Sequence, residues 1–159
     1  MEIVKIRLIV KPTKFCMPII MPIIEQKNKL VEYFLNCDDW EQKYMLIIDL
    51  GKKLNPVDDN QKTEQNRVQG CTSRLWLVGE KINGKMYFKG SSDSQIVAGL
   101  VAILINVYNG NTPEDILSDN SNLLVELGLE DHIMPTRIVG FESALKKIKE
   151  ICKNCIQIN

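Results

Sequence analysis

The stretch from Ile96 to Tyr108 constrains the fold of this chain more than any other, because it carries no charge and is apolar on nearly every side of a helix. The preceding Ser92-Asp93-Ser94-Gln95 predicts a capping box at the start of that helix, with Ser92 at the N-cap and Gln95 at the third helical position. A helix that is apolar all round is stable in water when other elements surround it. We therefore expect this helix to lie buried at the centre of a domain.

Further helical patterns lie on both sides of this central segment. Apolar residues recur there at steps of three and four. Asp38 is predicted as the N-cap of the second helix, with Glu41 completing a capping box. Helices are therefore expected to surround the central one. They are predicted over Gln26 to Cys37, in the segment capped by Asp38, in the segment that begins at Thr112-Pro113, over Leu123 to Leu127, and over Ile138 to Cys152.

A single β-hairpin is predicted between the helices. Asn83-Gly84 is a strong signal for a two-residue turn, and the flanking segments Ser73 to Val78 and Lys85 to Lys89 have strand composition. Arg67 to Gln69 is expected to add a short third strand. Helices grouped around one small antiparallel sheet of about three strands indicate an α+β fold in a single compact domain.

Composition limits the functional classes. A chain of 159 residues with 45% hydrophobic residues can bury one core, and its 20 basic and 20 acidic residues create no field that would hold nucleic acid. The apolar run from Phe15 to Ile24 is too short to span a membrane and contains two prolines. Five cysteines at irregular spacings are untypical of a secreted disulfide framework. We expect a cytoplasmic protein that binds neither nucleic acid nor membrane.

The first two dozen residues form a separate region of unknown role. Residues 1–24 carry four basic residues and one acidic residue, so organelle targeting by this extension stays open. Translation from Met17 or Met21 would remove most of the extension. The division expected from the sequence is an extension over residues 1–24 and a domain over residues 25–159.

Cys71 is the first candidate for chemistry. It follows a polar turn ending in Gly70 and precedes a strand-like stretch, so its thiol is expected on a loop held by rigid structure. Thiol chemistry uses the thiolate, and the positive charges of Arg67 and Arg74 favour that form. Two alternatives stay open: Cys71 is a small buried apolar residue, or it is the nucleophile of a hydrolase with His132 as base.

The remaining cysteines are weaker candidates. Cys152 and Cys155 form a C-x-x-C pair, which is found in metal sites and redox pairs. Cys152 also continues the apolar stripe of the predicted C-terminal helix, which favours a place in the core. Cys16 and Cys37 have no ligand-like neighbours. We therefore predict no metal site.

The octet from Gln69 to Trp76 closely resembles the Gln-Gly-Cys-x-Ser-x-x-Trp signature of the SufE-like sulfur acceptor proteins. The resemblance covers about Lys27 to Glu150, in order and with plausible spacing. Its other parts are Trp40 to Tyr44, Ile48 to Gly51, Gly90 to Asp93 with Gly99-Leu100, Thr112 to Ile116, and Pro135 to Arg137 with Gly140.

This resemblance implies an accessory sulfur carrier and not an independent enzyme. The family's fold is similar to that of IscU-type scaffolds, and the cysteine matching Cys71 accepts persulfide sulfur from a SufS-like cysteine desulfurase, which it stimulates. The sulfur then passes to a SufBCD-like scaffold complex for iron–sulfur cluster assembly. Pyridoxal phosphate is expected on the desulfurase, with no cofactor on this chain. An IscU-like metal or cluster scaffold stays as the alternative function, and a homodimer stays open.

The resemblance also suggests supporting or interface residues around Cys71. Gly70 would permit the turn that aims the thiol, and Gln69, Ser73 and Trp76 would shape the loop and its footing. Asp93 and Arg137 match charged positions typical of the family, and structural roles are equally open for them, a helix cap for Asp93 and a carboxylate partner for Arg137. Arg74 is a further candidate, although a solvent-facing position on the strand is favoured when it is taken alone.

Overall fold

The structure is a computed structural model that describes residues 22–157 of the chain. The expectations for residues 1–21, which include Cys16, Met17 and Met21, lie outside the described residues. In the described part no helix combines the length and hydropathy needed to cross a membrane.

Six α-helices and one β-hairpin form the described part of the fold. Two short 3-10 helices, Asp59–Gln61 and Glu130–His132, lie in connecting segments. The α+β fold is thus confirmed. In chain order the elements are α1 (Ile23–Leu35), α2 (Trp40–Lys52), β1 (Leu75–Ile82), β2 (Lys85–Ser92), α3 (Gln95–Tyr108), α4 (Pro113–Ser118), α5 (Leu123–Glu126) and α6 (Pro135–Gln157).

Helix α3 is the buried centre of the fold, as its composition predicts. Its apolar residues face α1, α2, β2 and α6, and nearly all of them are buried. The approach of α2 is closest at Gly99, where an added Cβ would lie 2.1 Å from the carbonyl oxygen of Ile47. A glycine is required at this position because any side chain would enter the α2 backbone.

The hairpin pairs as predicted, but it is a two-stranded sheet and not one of about three strands. Asn83 and Gly84 both have positive φ, 51° and 79°, and the register runs from Ile82 opposite Lys85 to Leu75 opposite Ser92. The expected third strand is reduced to one bridge between Arg67 and Trp76. The chain leaves the edge of β1 at this point because the turn at Gly70 follows directly.

Several predicted helix boundaries were wrong by a few residues. Asp39, not Asp38, caps α2, because its side chain accepts a hydrogen bond from Gln42 N at 2.9 Å. Ser94, not Ser92, caps α3, because β2 continues to Ser92. Helix α1 begins three residues before Gln26, and α6 begins at Pro135. Proline fits the first turn of a helix, where its missing N–H has no helical partner.

A buried polar cluster fastens α1 to the centre of the fold. Lys27 is 6% exposed, and its Nζ lies 2.6 Å from Asp119 Oδ1 and donates a second hydrogen bond to Ser121 Oγ. Tyr108 donates from its hydroxyl to Asp119 Oδ2 at 2.8 Å, and Lys149 Nζ donates to the Asp119 carbonyl at 2.7 Å. Residues of α1, α3 and α6 therefore meet at Asp119.

Candidate functional site

Cys71 lies in the loop between the bridge at Arg67 and the start of β1. Gly70 has φ +86°, a left-handed conformation that glycine adopts without strain. The thiol is half-buried and packs against the edge of the hydrophobic core. Cys71 is thus partly accessible to solvent, and it is placed on a loop as the sequence predicts.

Helix α6 forms the surface on which the thiol lies. A Cβ placed on Gly140 would lie 3.0 Å from Cys71 Sγ, and a Cβ placed on Gly70 would lie 3.0 Å from Ser143 Oγ. Gly140 and Ser143 are three residues apart and therefore share one face of the helix. The loop is in contact with α6 at two neighbouring points.

Arg74 and Asp93 form a pair at the open end of the hairpin, where the Cys71 loop joins β1. Arg74 Nε donates to Asp93 Oδ2 at 3.1 Å, and the Arg74 backbone N–H donates to Asp93 Oδ1 at 3.0 Å. Asp93 N donates in return to the Arg74 carbonyl at 3.2 Å. The Asp93 side chain is therefore engaged with Arg74, while Ser94 provides the cap of α3.

Arg137 brings a positive charge to the helix that supports the thiol. It is partly exposed and lies three residues before Gly140, so the two positions share a face of α6. Within residues 22–157 its guanidinium forms no ion pair, and the carboxylate partner considered for it is not found there. The Arg137 charge is thus open to interaction with an anionic group.

Gln69, Ser73 and Trp76 surround the candidate cysteine along the chain. Gln69 is exposed, whereas Ser73 and Trp76 are partly buried. Trp76 is the residue of β1 that forms the bridge to Arg67. The arrangement thus gives Trp76 a direct part in holding the start of the loop, and it gives Gln69 an accessible position beside Gly70.

His132 does not join Cys71 in the described structure. Its ring is stacked on Trp40, with ring centroids 4.8 Å apart and an interplanar angle of 19°. Within residues 22–157 no hydrogen bond links the imidazole to the thiol. A general base has to reach the group it deprotonates, directly or through one water, so the hydrolase alternative gains no support.

Two of the other described cysteines have surroundings that suppress the thiolate. Cys152 is fully buried, and burial, together with nearby Cys155 and Glu114, raises its pKa to about 12. Burial also raises the pKa of Cys37, whose Sγ lies 3.5 Å from the Tyr33 carbonyl oxygen. The predicted core position of Cys152 is therefore confirmed.

A metal or cluster scaffold needs several ligands that converge on one point. Across residues 22–157 no group of three or more His, Cys, Asp or Glu side chains is placed to hold a metal ion. Cys152 and Cys155 lie on consecutive turns of α6 without further ligands in that part of the chain. The scaffold alternative gains no support from these residues.

Two contacts of the site, those of Gly140 and Ser143, were not predicted from the sequence. Gly140 was recognised as part of the family resemblance but without a role, and Ser143 was not singled out. No local signal marks Ser143, because its contact joins segments far apart in the chain, and for Gly140 the local signal is weak. The glycine itself is a weak signal, since a glycine inside a helix costs about 1 kcal/mol relative to alanine and is retained where space is needed.

Comparison with known proteins agrees with the fold. A family model described as the Fe–S metabolism associated domain, SufE, matches residues 28–152. A solution structure of a hypothetical protein from Thermus thermophilus superposes with a TM-score of 0.71, covering 83% of this chain and 96% of that chain. The two sequences are 19% identical, so this likeness concerns the fold alone.

Proposed function

The chain belongs to the SufE family, and on that premise we propose that Cys71 accepts persulfide sulfur from a SufS-like cysteine desulfurase. In this proposal the protein stimulates the desulfurase and delivers the sulfur for iron–sulfur cluster assembly, with a SufBCD-like complex as the receiving scaffold. Family membership assigns the protein to iron–sulfur metabolism, and the placement of Cys71 supports the finer role.

The observation that carries the proposal is the contrast between Cys71 and the other described cysteines. Cys71 is on a surface loop that reaches the partly exposed Arg137 face of α6. Cys152 is buried and Cys155 lies on the same helix, while Cys37 follows the end of α1 with its pKa raised by burial. A carrier thiol has to enter a partner's active site, and among these residues Cys71 meets that requirement best.

The proposed step is a thiol–persulfide exchange. The Cys71 thiolate attacks the outer sulfur of the desulfurase persulfide, a new S–S bond forms on Cys71, and the bond to the inner sulfur breaks. The desulfurase cysteine leaves as a thiolate, and the outer sulfur keeps its proton. One sulfur atom moves at unchanged oxidation state, so the step needs no external oxidant or reductant.

The protein chain contributes positioning and charge to this step. The partly exposed positive charge of Arg137 lies on the supporting helix face and would attract a persulfide anion once one has formed on the loop. The proton that Cys71 loses on becoming a thiolate is balanced by the proton that the departing desulfurase thiolate can take up, so the exchange needs no general base on the carrier. Pyridoxal phosphate would belong to the desulfurase, and the proposed compartment is the cytoplasm.

The test measures sulfur on the intact full-length protein after incubation with a SufS-type desulfurase, pyridoxal phosphate and cysteine. Mass spectrometry of the protein and its peptides should show one added sulfur on Cys71. Cys71→Ser should abolish both this gain and the rise in sulfide production. Cys37→Ser is the matched control, because Cys37 is also half-buried, and it should behave like the parent.

Two results would contradict the proposal. The mechanism is wrong if Cys71→Ser stimulates the desulfurase as strongly as the parent does. A stoichiometric zinc or iron content that is lost on Cys71→Ser would instead favour the scaffold alternative.

A further inference from the structure

One edge of the hairpin is only partly covered in the part of the chain that the structure describes. On the β2 side, outward-facing N–H groups donate to neighbouring segments; they belong to Met86, Phe88 and Gly90. On the β1 side, Leu77 N donates to the Asn66 carbonyl at 2.9 Å. Outward-facing residues alternate along a strand, so Gly79 and Lys81 direct their N–H and C=O groups to the same side, where residues 22–157 offer them no backbone partner. The second half of β1 is therefore an open strand edge.

A polar cavity of about 250 Å³ adjoins this open edge. It is lined by Gly79, by the outer face of the hairpin, and by Asp58 and Gln61 of the connection before β1. Gln61 Oε1 is enclosed and accepts no hydrogen bond within residues 22–157. Glu80, also in the lining, is exposed and forms no ion pair in that part of the chain, whereas Asp58 is already paired with Lys89. A buried acceptor without a donor, beside a free carboxylate, favours a cationic group that donates hydrogen bonds.

The sequence ahead of α1 contains a segment that matches both the open edge and the cavity. Residues 3–10 lie outside the described residues, and in the sequence they alternate between an apolar and a basic face. The apolar face consists of the even positions Val4, Ile6, Leu8 and Val10, and Lys5 and Arg7 lie between them. Alternation of this kind is typical of a half-buried strand. We infer that residues 3–10 pair with the open edge of β1 as a third strand and direct Lys5 and Arg7 toward the cavity.

The two faces of the segment fit the two sides of β1. On the core side, a Cβ placed on Gly79 would lie 3.0 Å from Cγ2 of Ile151, which is partly buried at the border of the core. Paired residues of neighbouring strands place their side chains on the same face, so the apolar face of the segment would cover this border. On the other side, the basic face meets Glu80 and the unpaired Oε1 of Gln61. Alternation and charge thus select the same orientation.

The connection to α1 is long enough for this pairing. Lys27 of α1 binds Asp119, and the carbonyl of Asp119 accepts a hydrogen bond from Lys149 of α6. Ile151 lies two positions further along α6, against the open edge, and two such positions point to nearly opposite sides of a helix. The start of α1 and the open edge therefore lie on either side of α6, a helix roughly 10–12 Å across with its side chains. Residues 11–21 can span up to about 36 Å when extended, at about 3.3 Å per residue.

The pairing would extend the sheet to three strands and would make part of the N-terminal region a component of the domain. It would also close an edge that otherwise offers a template for association with other chains. A product that begins at Met17 or Met21 would lack this strand. The inference does not rest on the proposed acceptor role of Cys71.

The first test measures amide hydrogen exchange by NMR in the full chain. The N–H groups of Gly79 and Lys81 should exchange at least about tenfold more slowly than in Ile6→Asp, which places a charge on the apolar face; tenfold corresponds to about 1.4 kcal/mol of opening free energy. Ile9→Asp, the same substitution on the opposite face of the segment, is the matched control and should keep the parent rates. The N–H of Glu80 bonds within the hairpin and reports in every variant that the hairpin is folded.

An exchange of charges tests the cavity side. Glu80→Lys should accelerate exchange of the Gly79 N–H, because Lys5 and Arg7 would then face a like charge. Adding Lys5→Glu and Arg7→Glu to that variant should restore the slow exchange. A purely local effect of Glu80→Lys would not be reversed by substitutions in a distant segment.

Three results would overturn the inference. One is rapid exchange of Gly79 and Lys81 in the parent while Glu80 remains protected. Another is slow exchange that Ile6→Asp leaves unchanged, which would assign the cover of the edge to another segment. A third is protection that increases with protein concentration, because a second copy of the chain would then occupy the edge. Sulfur transfer to Cys71 enters none of these measurements, so a failed acceptor role would leave them unaffected.

Discussion

Arg74 and Asp93 are joined by a three-part contact across the open end of the hairpin, in which the carboxylate binds both the guanidinium and the backbone N–H of Arg74. The return bond from Asp93 N to the Arg74 carbonyl closes this contact. Arg74 is the last residue of the Cys71 loop before β1. The carboxylate of Asp93 therefore fixes the point at which the loop joins the strand.

Asp93→Ala should therefore loosen the loop more than Asp93→Asn. Alanine removes the acceptor of the Arg74 N–H, whereas asparagine keeps an oxygen for that bond and loses the ion pair. The side chains are 63% and 45% exposed, so the ion pair itself contributes little, and we expect a loss of about 1 kcal/mol for alanine and less for asparagine. Urea unfolding and the Cys71 alkylation rate measure the two effects. Equal results for the two variants would assign the effect to the charge alone.

Breaking the buried cluster around Asp119 should lower the free energy of unfolding more than breaking the Arg74–Asp93 contact does. In Lys27→Met the Asp119 carboxylate loses its nearest cation while it remains largely enclosed, with a side chain that is 12% exposed. Removing one partner of a buried ion pair costs about 3–5 kcal/mol, and we expect a destabilisation of that order in urea unfolding at neutral pH. Lys153→Met, the same substitution at an exposed lysine of α6, is the control. A loss below about 1 kcal/mol would show that the pair acts like a surface salt bridge.

The same cluster predicts sensitivity to acid. Burial raises the pKa of Asp119, but hydrogen bonds from Lys27, Tyr108 and Ser121 and the charge of Lys27 outweigh it, so the net pKa lies below its usual range. A carboxyl with a lowered pKa in the folded state stabilises the fold above its unfolded pKa of about 3.9 and loses that contribution as the pH falls through the folded value. Parent stability should thus decline below about pH 4, and the part due to Asp119 should be missing from Asp119→Asn. Equal declines in parent and variant would assign acid sensitivity to other groups.

Cys152 should resist thiol reagents in the folded protein. Burial raises its pKa to about 12, so at pH 8 almost all of it is the unreactive thiol, and the side chain is also closed to solvent. Iodoacetamide at that pH should label Cys71 in the native protein and reach Cys152 only after urea unfolding. Peptide mass spectrometry gives both rates. Native labelling of Cys152 at a rate close to that of Cys71 would indicate opening of α6.

The sequence predicted the features that depend on local pattern. Asn83-Gly84 predicted the turn and its register, and the uncharged run through Leu100 predicted the buried helix. The helix caps were displaced because Asp38 and Asp39 offer the same side-chain oxygen, and the direction of the incoming chain decides between them. Capping chemistry therefore locates a helix start only to within a residue or two.

Features that depend on distant segments could not be predicted in this way. Lys27 is buried together with its ion-pair partner Asp119, and the two residues are 92 positions apart in the chain. A lysine is ordinarily placed at the surface unless a partner is known. The contact of Cys71 with Gly140 is of the same kind, so the sequence singled out Cys71 as the candidate residue but not the helix face against which it packs.

The stack of His132 on Trp40 allows a test that distinguishes the proposed carrier from a hydrolase. A carrier needs no imidazole, so His132→Phe, which keeps a ring on Trp40, should accept sulfur on Cys71 at the parent rate. His132→Ala removes the stack and should lower stability by about 0.5–1.5 kcal/mol, as expected for an aromatic pair, while sulfur acceptance persists in the folded fraction. Desulfurase-dependent mass gain and urea unfolding test both statements. If both folded variants fail to gain sulfur, the imidazole takes part in the chemistry and the carrier mechanism has to be replaced by one in which His132 acts on Cys71.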